Sequence, residues 1–408
     1  MKKTISNLAC VGGLGLSLLS PLAQGVELSA GDWKLTANGH INANLIMSSC
    51  DDEGTAAVAG GLACIGSAGE DTTSTVSNGL LPAALIFGVS TFQNGYDISA
   101  TFGFWPGIST NDGGSPNLQQ DGPGLANTGL GTTGLDVRQV FVTVGNEYVG
   151  SISAGRNFGL FGFDAIINDM SIPGVGAPGA AAGGTPANTT LGSIGLGYIY
   201  TDTLSQINYT TPDFAGLKVT LGIFDPLEPL NGNTPVPEAT PGFHGKLAYT
   251  QGDLYLSASF LSQTNEGPTD AEDFDTTAFD LGGKYTMGDL ELMAFYYMGS
   301  GVGTTALLLN SDDGAGNERD SDGFLAQVTY KLGDTKLGLN YGQSNLDLAN
   351  GEAVSNLVES NSKFTLGVYH SLTPAVMLVG EFTDVTAEGH DGTENNSSTI
   401  NAGIFVGF

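Results

Sequence analysis

From Trp33 the chain keeps a strict alternation. Trp33, Leu35, Ala37, Gly39, Ile41, Ala43 and Leu45 fall on one side, and Lys34, Thr36, Asn38, His40, Asn42 and Asn44 on the other. A period of two held this long commits a segment to a strand with one apolar and one polar face. The C-terminus does the same, with Ile400, Ala402, Ile404, Val406 and Phe408 against Thr399, Asn401, Gly403, Phe405 and Gly407. Further apolar sets recur at Leu217–Ile223, Leu254–Phe260, Leu290–Tyr296 and Leu337–Tyr341. Short turn signals punctuate these runs at Gln93-Asn94-Gly95, Gly145-Asn146-Glu147, Pro212 to Gly216, Gln251-Gly252-Asp253, Met287-Gly288-Asp289, Leu332-Gly333-Asp334 and Thr373-Pro374. Each joins two strands as a hairpin. Between the hairpins lie long polar, acidic loops, at 48–79, 107–134, 159–204, 225–242, 262–276, 300–322, 345–361 and 387–397. Seven turns make fourteen strands, and the first and last strands bring the count to sixteen.

Short turns alternating with long loops around an even number of strands predict an all-β fold, a transmembrane antiparallel β-barrel. Sixteen strands enclose a lumen too wide for side chains to fill, so the polar set faces water and the apolar set faces lipid. No run of about 18 apolar residues exists to make a membrane helix. Only 13% of residues are charged, against about 25% in soluble domains. With 12 Lys and Arg against 42 Asp and Glu, no basic surface is available for nucleic acid. Trp33, Tyr249, Tyr285, Tyr330 and Phe408 lie near strand ends, where barrels carry interfacial aromatic girdles.

Residues 1–25 read as a secretory signal peptide: Met1-Lys2-Lys3 is basic, Leu8–Leu22 is apolar, and Ala23-Gln24-Gly25 offers small residues for cleavage. The barrel domain is then 26–408, and Cys10 belongs to the segment removed. Cys50 and Cys64 remain. An isolated pair in an oxidising compartment most simply forms a disulfide. It closes about 15 residues, worth about 3 kcal/mol by loop entropy. Two free thiols are the alternative, and a metal site lacks a flanking histidine.

The third long loop begins at Gly155-Arg156-Asn157-Phe158-Gly159. It continues through Leu160-Phe161-Gly162-Phe163-Asp164-Ala165 and Asp169-Met170 to Pro173-Gly174-Val175-Gly176. In this it resembles the trimeric general-diffusion porins of Gram-negative bacteria. In that family a Gly-Arg-Asn-aromatic-Gly element leads into a loop with an Asp-Ala pair, an Asp-Met pair and then Pro-Glu-Phe-Gly-Gly. Asn208–Leu217 is similar to a strand–turn–strand element of the same family. The resemblance covers 138–176 and 208–216 in motif and the whole of 26–408 in architecture. It implies that the loop folds into the lumen and forms a pore constriction, with Arg138 and Arg156 on the wall, Asp169 as the first loop acid and Asp164 in the loop motif. The second loop acid of the family is missing, since Pro-Gly-Val-Gly stands there. Arg156 has a simpler reading as a tether for the loop, paired with Asp164 or a carbonyl. His40 is a further candidate for the neck, beside its plainer reading as an ordinary lumen residue. Lys218, Lys246, Lys284, Lys331, Lys336 and Lys363 fall on inward positions, mostly near the short turns.

The resemblance further implies passive diffusion of small hydrophilic solutes and ions, outer-membrane lipid and lipopolysaccharide as surroundings, and a homotrimer. Gly39, Ala43, Ala402 and Ile404 are expected at the contact between its subunits. No cofactor and no enzymatic chemistry are expected. His40, His244, His370 and His390 fall in no nucleophile or metal-ligand motif. The glycine-rich Gly192–Gly197 has no following helix to make a nucleotide site. Asp320-Ser321-Asp322-Gly323 opens like a calcium loop, but Lys331 stands where its closing glutamate is needed. The loop acids, Asp312, Asp313, Glu318, Glu272, Asp273 and Asp275 among them, read as a solvated face with weak divalent-cation binding as the alternative. Either way they favour cations at the mouth. Two other readings stay open: a substrate-selective channel, for a sugar for example, with Tyr255, Tyr297 and Tyr369 inward, and a surface adhesin or receptor built on a barrel.

Overall fold

The computed structural model describes residues 25–51, 57–65, 70–108, 135–179, 189–229, 236 and 238–408. Residues 1–24, nearly all of the expected signal peptide, lie outside them, as do most of the loop 107–134 and parts of the loops 48–79, 159–204 and 225–242. Eighteen strand segments form one closed sheet: β1 (Val26–Ala30), β2 (Trp33–Cys50), β3 (Thr72–Ser77), β4 (Ala84–Gln93), β5 (Tyr96–Pro106), β6 (Leu135–Asn146), β7 (Gly150–Phe158), β8 (Thr203–Thr210), β9 (Leu217–Phe224), β10 (Gly242–Gln251), β11 (Leu254–Asn265), β12 (Phe274–Met287), β13 (Leu290–Ser300), β14 (Asp320–Leu332), β15 (Thr335–Leu346), β16 (Val358–Thr373), β17 (Val376–Gly389) and β18 (Glu394–Gly407). Among the described residues one short helix, α1 (Phe163–Asn168), lies inside the barrel.

Sixteen strand positions result from eighteen segments for two reasons. The upper and lower halves of one barrel strand are β3 and β4, both paired to β2. The N-terminal β1 pairs with β2 at Val26↔Ala37 to Ala30↔Trp33, below the stretch where β18 pairs with the same strand. It therefore extends the place of β18 at the turn end. Neither the β1 hairpin nor the break at 78–83 was expected from the alternation. The break has a tertiary cause: Leu80 turns from ladder pairing and donates its N–H to Gly174 O of the inward loop, at 2.7 Å. The ring closes between β2 and β18, from Ser397↔Cys50 to Gly407↔His40.

The alternation behaves as the barrel requires. On β2, Ile41, Leu45 and Met47 are about half exposed on the outside, while His40, Asn42 and Asn44 point inward and are buried. Trp33, Tyr285, Tyr330 and Phe408 stand exposed near strand ends. The inward face departs from the expectation of a purely polar lining. Leu261, Ala278, Met293, Phe295, Tyr297 and Leu325, on β11–β14, are buried apolar residues on the inside. They hold a loop rather than line water.

Outward Leu339, mid-strand in β15, is 44% exposed and faces lipid. Leu339→Arg is expected to destabilise the barrel by about 2–4 kcal/mol in lipid vesicles. Thr143→Ser, on the lumen side of β6, is expected to change stability by less than about 0.5 kcal/mol. Urea unfolding of both variants in vesicles checks the contrast.

Candidate functional site: the inward loop and the pore neck

The chain leaves β7 at Phe158 and returns at Thr203, and the intervening loop runs inside the barrel. Its backbone has no strand to pair with there, and buried N–H groups left unpaired are costly, so each needs a fixed acceptor. The wall supplies them from isolated polar side chains on strands. Asp280 Oδ2 on β12 accepts the Gly162 N–H at 2.7 Å, and Ser259 donates to the same oxygen. Gln327 on β14 accepts the Met170 N–H at 2.7 Å through Oε1 and donates from Nε2 to Asn168 O at 3.0 Å. Glu381 Oε2 on β17 accepts the N–H groups of Val175 at 2.7 Å and Gly176 at 2.9 Å, while Tyr369 donates to its other oxygen at 2.6 Å. The loop is thereby strung across the lumen from β7 to β17.

Apolar packing reinforces these bonds. Phe161, Ala165, Ile166, Tyr198 and Ile199 of the loop bury themselves against Phe295, Tyr297 and Leu325 of the wall. The returning limb approaches the outgoing one so closely that a Cβ on Gly176 (φ 57°) would lie 2.6 Å from Gly192 Cα. This is the role the structure gives to part of the glycine-rich run. A second loop segment rests on the first: Tyr200 donates its N–H to Thr305 O at 2.7 Å, and Val302, Leu307 and Leu308 join the same buried cluster.

The sequence candidates fall into distinct groups. Arg138 sits at the bulge between Gly103 and Phe104 in the β5–β6 pairing; bulges re-aim a side chain. Its Nε donates to Asp136 at 2.8 Å, and the guanidinium carbon lies 5.1 Å from the Trp105 ring centroid. Arg156 is half-buried, and its Nη2 donates to Thr203 Oγ1 at 2.7 Å. Asp202 lies within the electrostatic reach of both guanidiniums. Burial pushes its carboxyl up to about 6, against the Thr203 amide and the two arginines, which pull it down. Asp136 and Asp202 are partners that the motif reading did not reveal.

Asp164, on α1, pairs with Lys246 Nζ at 3.2 Å and accepts from Tyr255 at 2.6 Å. It does not receive Arg156 among the described bonds. Asp169 is 1% exposed and lies by the far wall: Tyr198 donates to it at 2.9 Å and Asn340 of β15 at 3.4 Å. Arg138 and Asp169 therefore belong to opposite sides of the ring. His40 is buried, with Nε2 2.9 Å from Pro82 O and its ring stacked on Phe405 at 4.8 Å. Lys246, Lys284 and Lys336 are inward and part exposed, whereas Lys363 is 2% exposed, deep in the wall, and donates to Thr365. Tyr297 and Tyr369 are buried, and Tyr255 is engaged with Asp164. Cys50 and Cys64 are joined by a disulfide, with Cα atoms 5.1 Å apart. Among the described residues, no three His, Cys, Asp or Glu side chains are placed to hold a metal ion.

The residues that sequence reasoning missed are Asp280, Gln327 and Glu381. Their signal was present: a lone polar side chain at an inward mid-strand position, as in Phe279-Asp280-Leu281 and Gly380-Glu381-Phe382.

A closed sixteen-strand barrel with a lipid-facing apolar girdle and a loop fixed across its lumen is an outer-membrane channel. The family model for Gram-negative porins matches residues 16–390, and the chain belongs to that family. Among solved structures it is similar to the outer membrane channel DcaP of Acinetobacter baumannii, with 13% identity, 95% of this chain and 100% of that chain covered, and a TM-score of 0.66. The anion-selective porin from Comamonas acidovorans gives 15%, 92%, 100% and 0.62 for the same quantities. Salmonella typhi OmpF gives 14%, 94%, 100% and 0.58. These likenesses are of fold. No curated protein sequence matches the chain.

Glu381→Ala leaves two buried N–H groups of the loop without an acceptor. It is expected to lower stability by about 2–4 kcal/mol, measured by urea unfolding in vesicles, and to make single channels noisier in planar bilayers. Glu381→Gln keeps an acceptor oxygen and is expected to fall between the two.

Proposed function

We propose that the protein is a general-diffusion channel for small hydrophilic solutes and ions, with a preference for cations that originates at its outer mouth. The observation that carries the channel reading is the loop held across a lumen whose remaining wall is polar. Ser99, Thr101, Thr143 and Ser153 on β5–β7 face inward and stay half exposed. Residues 1–25 act in this reading as the export signal, and the barrel sits as a homotrimer among outer-membrane lipid and lipopolysaccharide. Outward Gly39, Ala43, Ala402 and Ile404 come side by side where β2 pairs with β18, as at Ala43↔Ile404, a smooth wall suited to a neighbouring copy. The family and fold are those of channels that carry out no chemistry.

Two charge sets compete over ion preference. Arg138 and Arg156, with Lys246, form the basic side of the neck, and Asp164 and Asp169 are its acids, each held by hydrogen bonds; His40 sits behind Trp105 as a wall residue. The neck is close to balanced, so the mouth decides. There, exposed acids crowd the loops. Asp313 and Asp391 fold their own turns by accepting backbone N–H groups, and Glu352 is bound by Arg319, whose hydrogen bond holds its carboxyl below the usual range. Charges at a mouth raise the local concentration of counter-ions, within a Debye length of about 8–10 Å at physiological salt.

A selective sugar channel is the second reading, and one observation favours it. Trp105, Phe158 and Phe163 succeed one another at ring separations of 6.1 and 5.7 Å. Only Phe158 and Phe163 keep exposed surface, and Lys246 stands 5.2 Å from the Phe163 centroid, so the open aromatic face is short. Oligosaccharide block of single-channel current separates the readings: weak, non-saturating block fits general diffusion.

Reversal potentials in a salt gradient test the preference. Cation selectivity is expected, weakening as ionic strength rises; an anion preference at low salt contradicts the assignment. Arg156→Ala is expected to shift permeability further toward cations. The mouth also carries a titration. Burial, with the charges of Glu228, Glu266 and Asp273, pushes the Glu238 carboxyl up to about 7 against the Glu266 N–H that it accepts. Because this acid is neutral below that value and charged above it, cation preference is expected to grow as pH rises through 7. Glu238→Gln should flatten that rise.

A further inference from the structure

The described part of the first external loop does not stand up from the rim. Residues 57–65 fold inward and lie against the inner face of β16–β18, beside their own strand across the β2–β18 closure. Val58 N–H donates to Asn395 Oδ1 and Leu62 N–H to Asn361 Oδ1, each at 2.8 Å. Ala59 exchanges backbone bonds with the segment 356–358, through Ala59 N to Asn356 O at 2.8 Å and Val358 N to Ala59 O at 2.9 Å. The apolar side chains of this segment, Val58, Leu62 and Ala63, are buried. They form one cluster with Val385 and Ala387 of the wall and, from the inward loop, Ala177 and Leu196. Ala177 adjoins Gly176, whose N–H is held from the wall by Glu381. The tip of the inward loop is therefore gripped twice, by a carboxylate on the wall and by an apolar patch laid over it from the outside.

The disulfide sits where this patch is attached. Cys50 ends β2 and Cys64 follows Leu62 and Ala63 directly. Cys64 occupies the left-handed region at φ 56°, which residues with a Cβ seldom adopt. We propose that segment 57–65 is a clamp on the tip of the inward loop, that Leu62 and Val58 are its positioning residues, and that the Cys50–Cys64 bond keeps it closed. A cross-link removes freedom from the open state of the loop it closes. Cutting it frees the clamp to leave the tip, and the neck loses one of its two holds. The bore then varies with the state of a bond that is remote from the ions passing through it.

Single-channel recording of the purified protein in planar bilayers tests this, in the oxidised state, after reduction with a phosphine, and after reoxidation. Mass mapping verifies that the thiols are free in the reduced sample. The expected result is a rise in conductance and open-channel noise on reduction that reverses on reoxidation. Heat-modified gel mobility should stay unchanged, which a loss of the barrel itself would alter. Cys50→Ser/Cys64→Ser is expected to behave as the reduced protein and to ignore the phosphine. Leu62→Ser keeps the disulfide and removes the apolar grip; it is expected to raise noise in the same direction, and it decides the matter if the cysteine variant does not fold. Reduced, folded protein that conducts as the oxidised form does, with Leu62→Ser also unchanged, overturns the proposal.

Discussion

The carboxylate of Glu381, accepting two backbone N–H groups from the middle of the lumen, is the interaction on which the rest of this architecture turns. Closing sixteen strands removes the edges of a sheet but leaves an interior too wide for side chains to meet. A loop can occupy that space only if its peptide groups find partners, because water is excluded along much of its length. Asp280, Gln327 and Glu381 provide partners at three points along it, at Gly162, at Asn168 and Met170, and at Val175 and Gly176. Each comes from a different strand, so the path of the loop is fixed by the registers of the barrel.

That path makes the interior asymmetric. On β11–β14 the inward Leu261, Ala278, Met293, Phe295, Tyr297 and Leu325 join the loop in a packed core, with the 302–308 segment laid over it. A smaller core, of Val58, Leu62, Ala177, Leu196 and Val385, covers the tip from the first loop. On β5–β7 the inward Ser99, Thr101, Thr143 and Ser153 are small, hydroxyl-bearing and half exposed. Charge follows the same division. Acids inside the barrel are tied to loop backbone, tyrosines or cations, while Asp273, Glu318 and Asp391 at the outer loops stay exposed. Burial with hydrogen bonds makes the inner acids structural elements whose removal disturbs conformation, whereas exposed acids act through a screened field.

Much of the fold could be read from period-two patterning, since strands with lipid on one side and water on the other have no other way to satisfy both. The seven turns at Gln93 through Thr373 all join paired strands in the structure. The break at 78–83 was hidden because its cause, the bond from Leu80 to Gly174, lies nearly a hundred residues away in sequence. The β1 hairpin was hidden because Val26–Ala30 is short and contains Glu27 and Ser29. At the inward loop, the motif located the segment and named Arg156, Asp164 and Asp169. It could not say which wall each faces, because that depends on where the loop crosses. Asp164 meets Lys246 of β10 and Asp169 meets Asn340 of β15, pairings that no local spacing encodes.

A fixed inner loop implies a bore with wide ends and one narrow level. The most direct test is partitioning of neutral polymers of graded size, added to one side of a single channel at a time. Polymers well above the transit limit are expected to enter from either side and lower conductance, and yet fail to cross to the other chamber. If every polymer that enters also crosses, the lumen has no neck, and the inward loop does not set the bore.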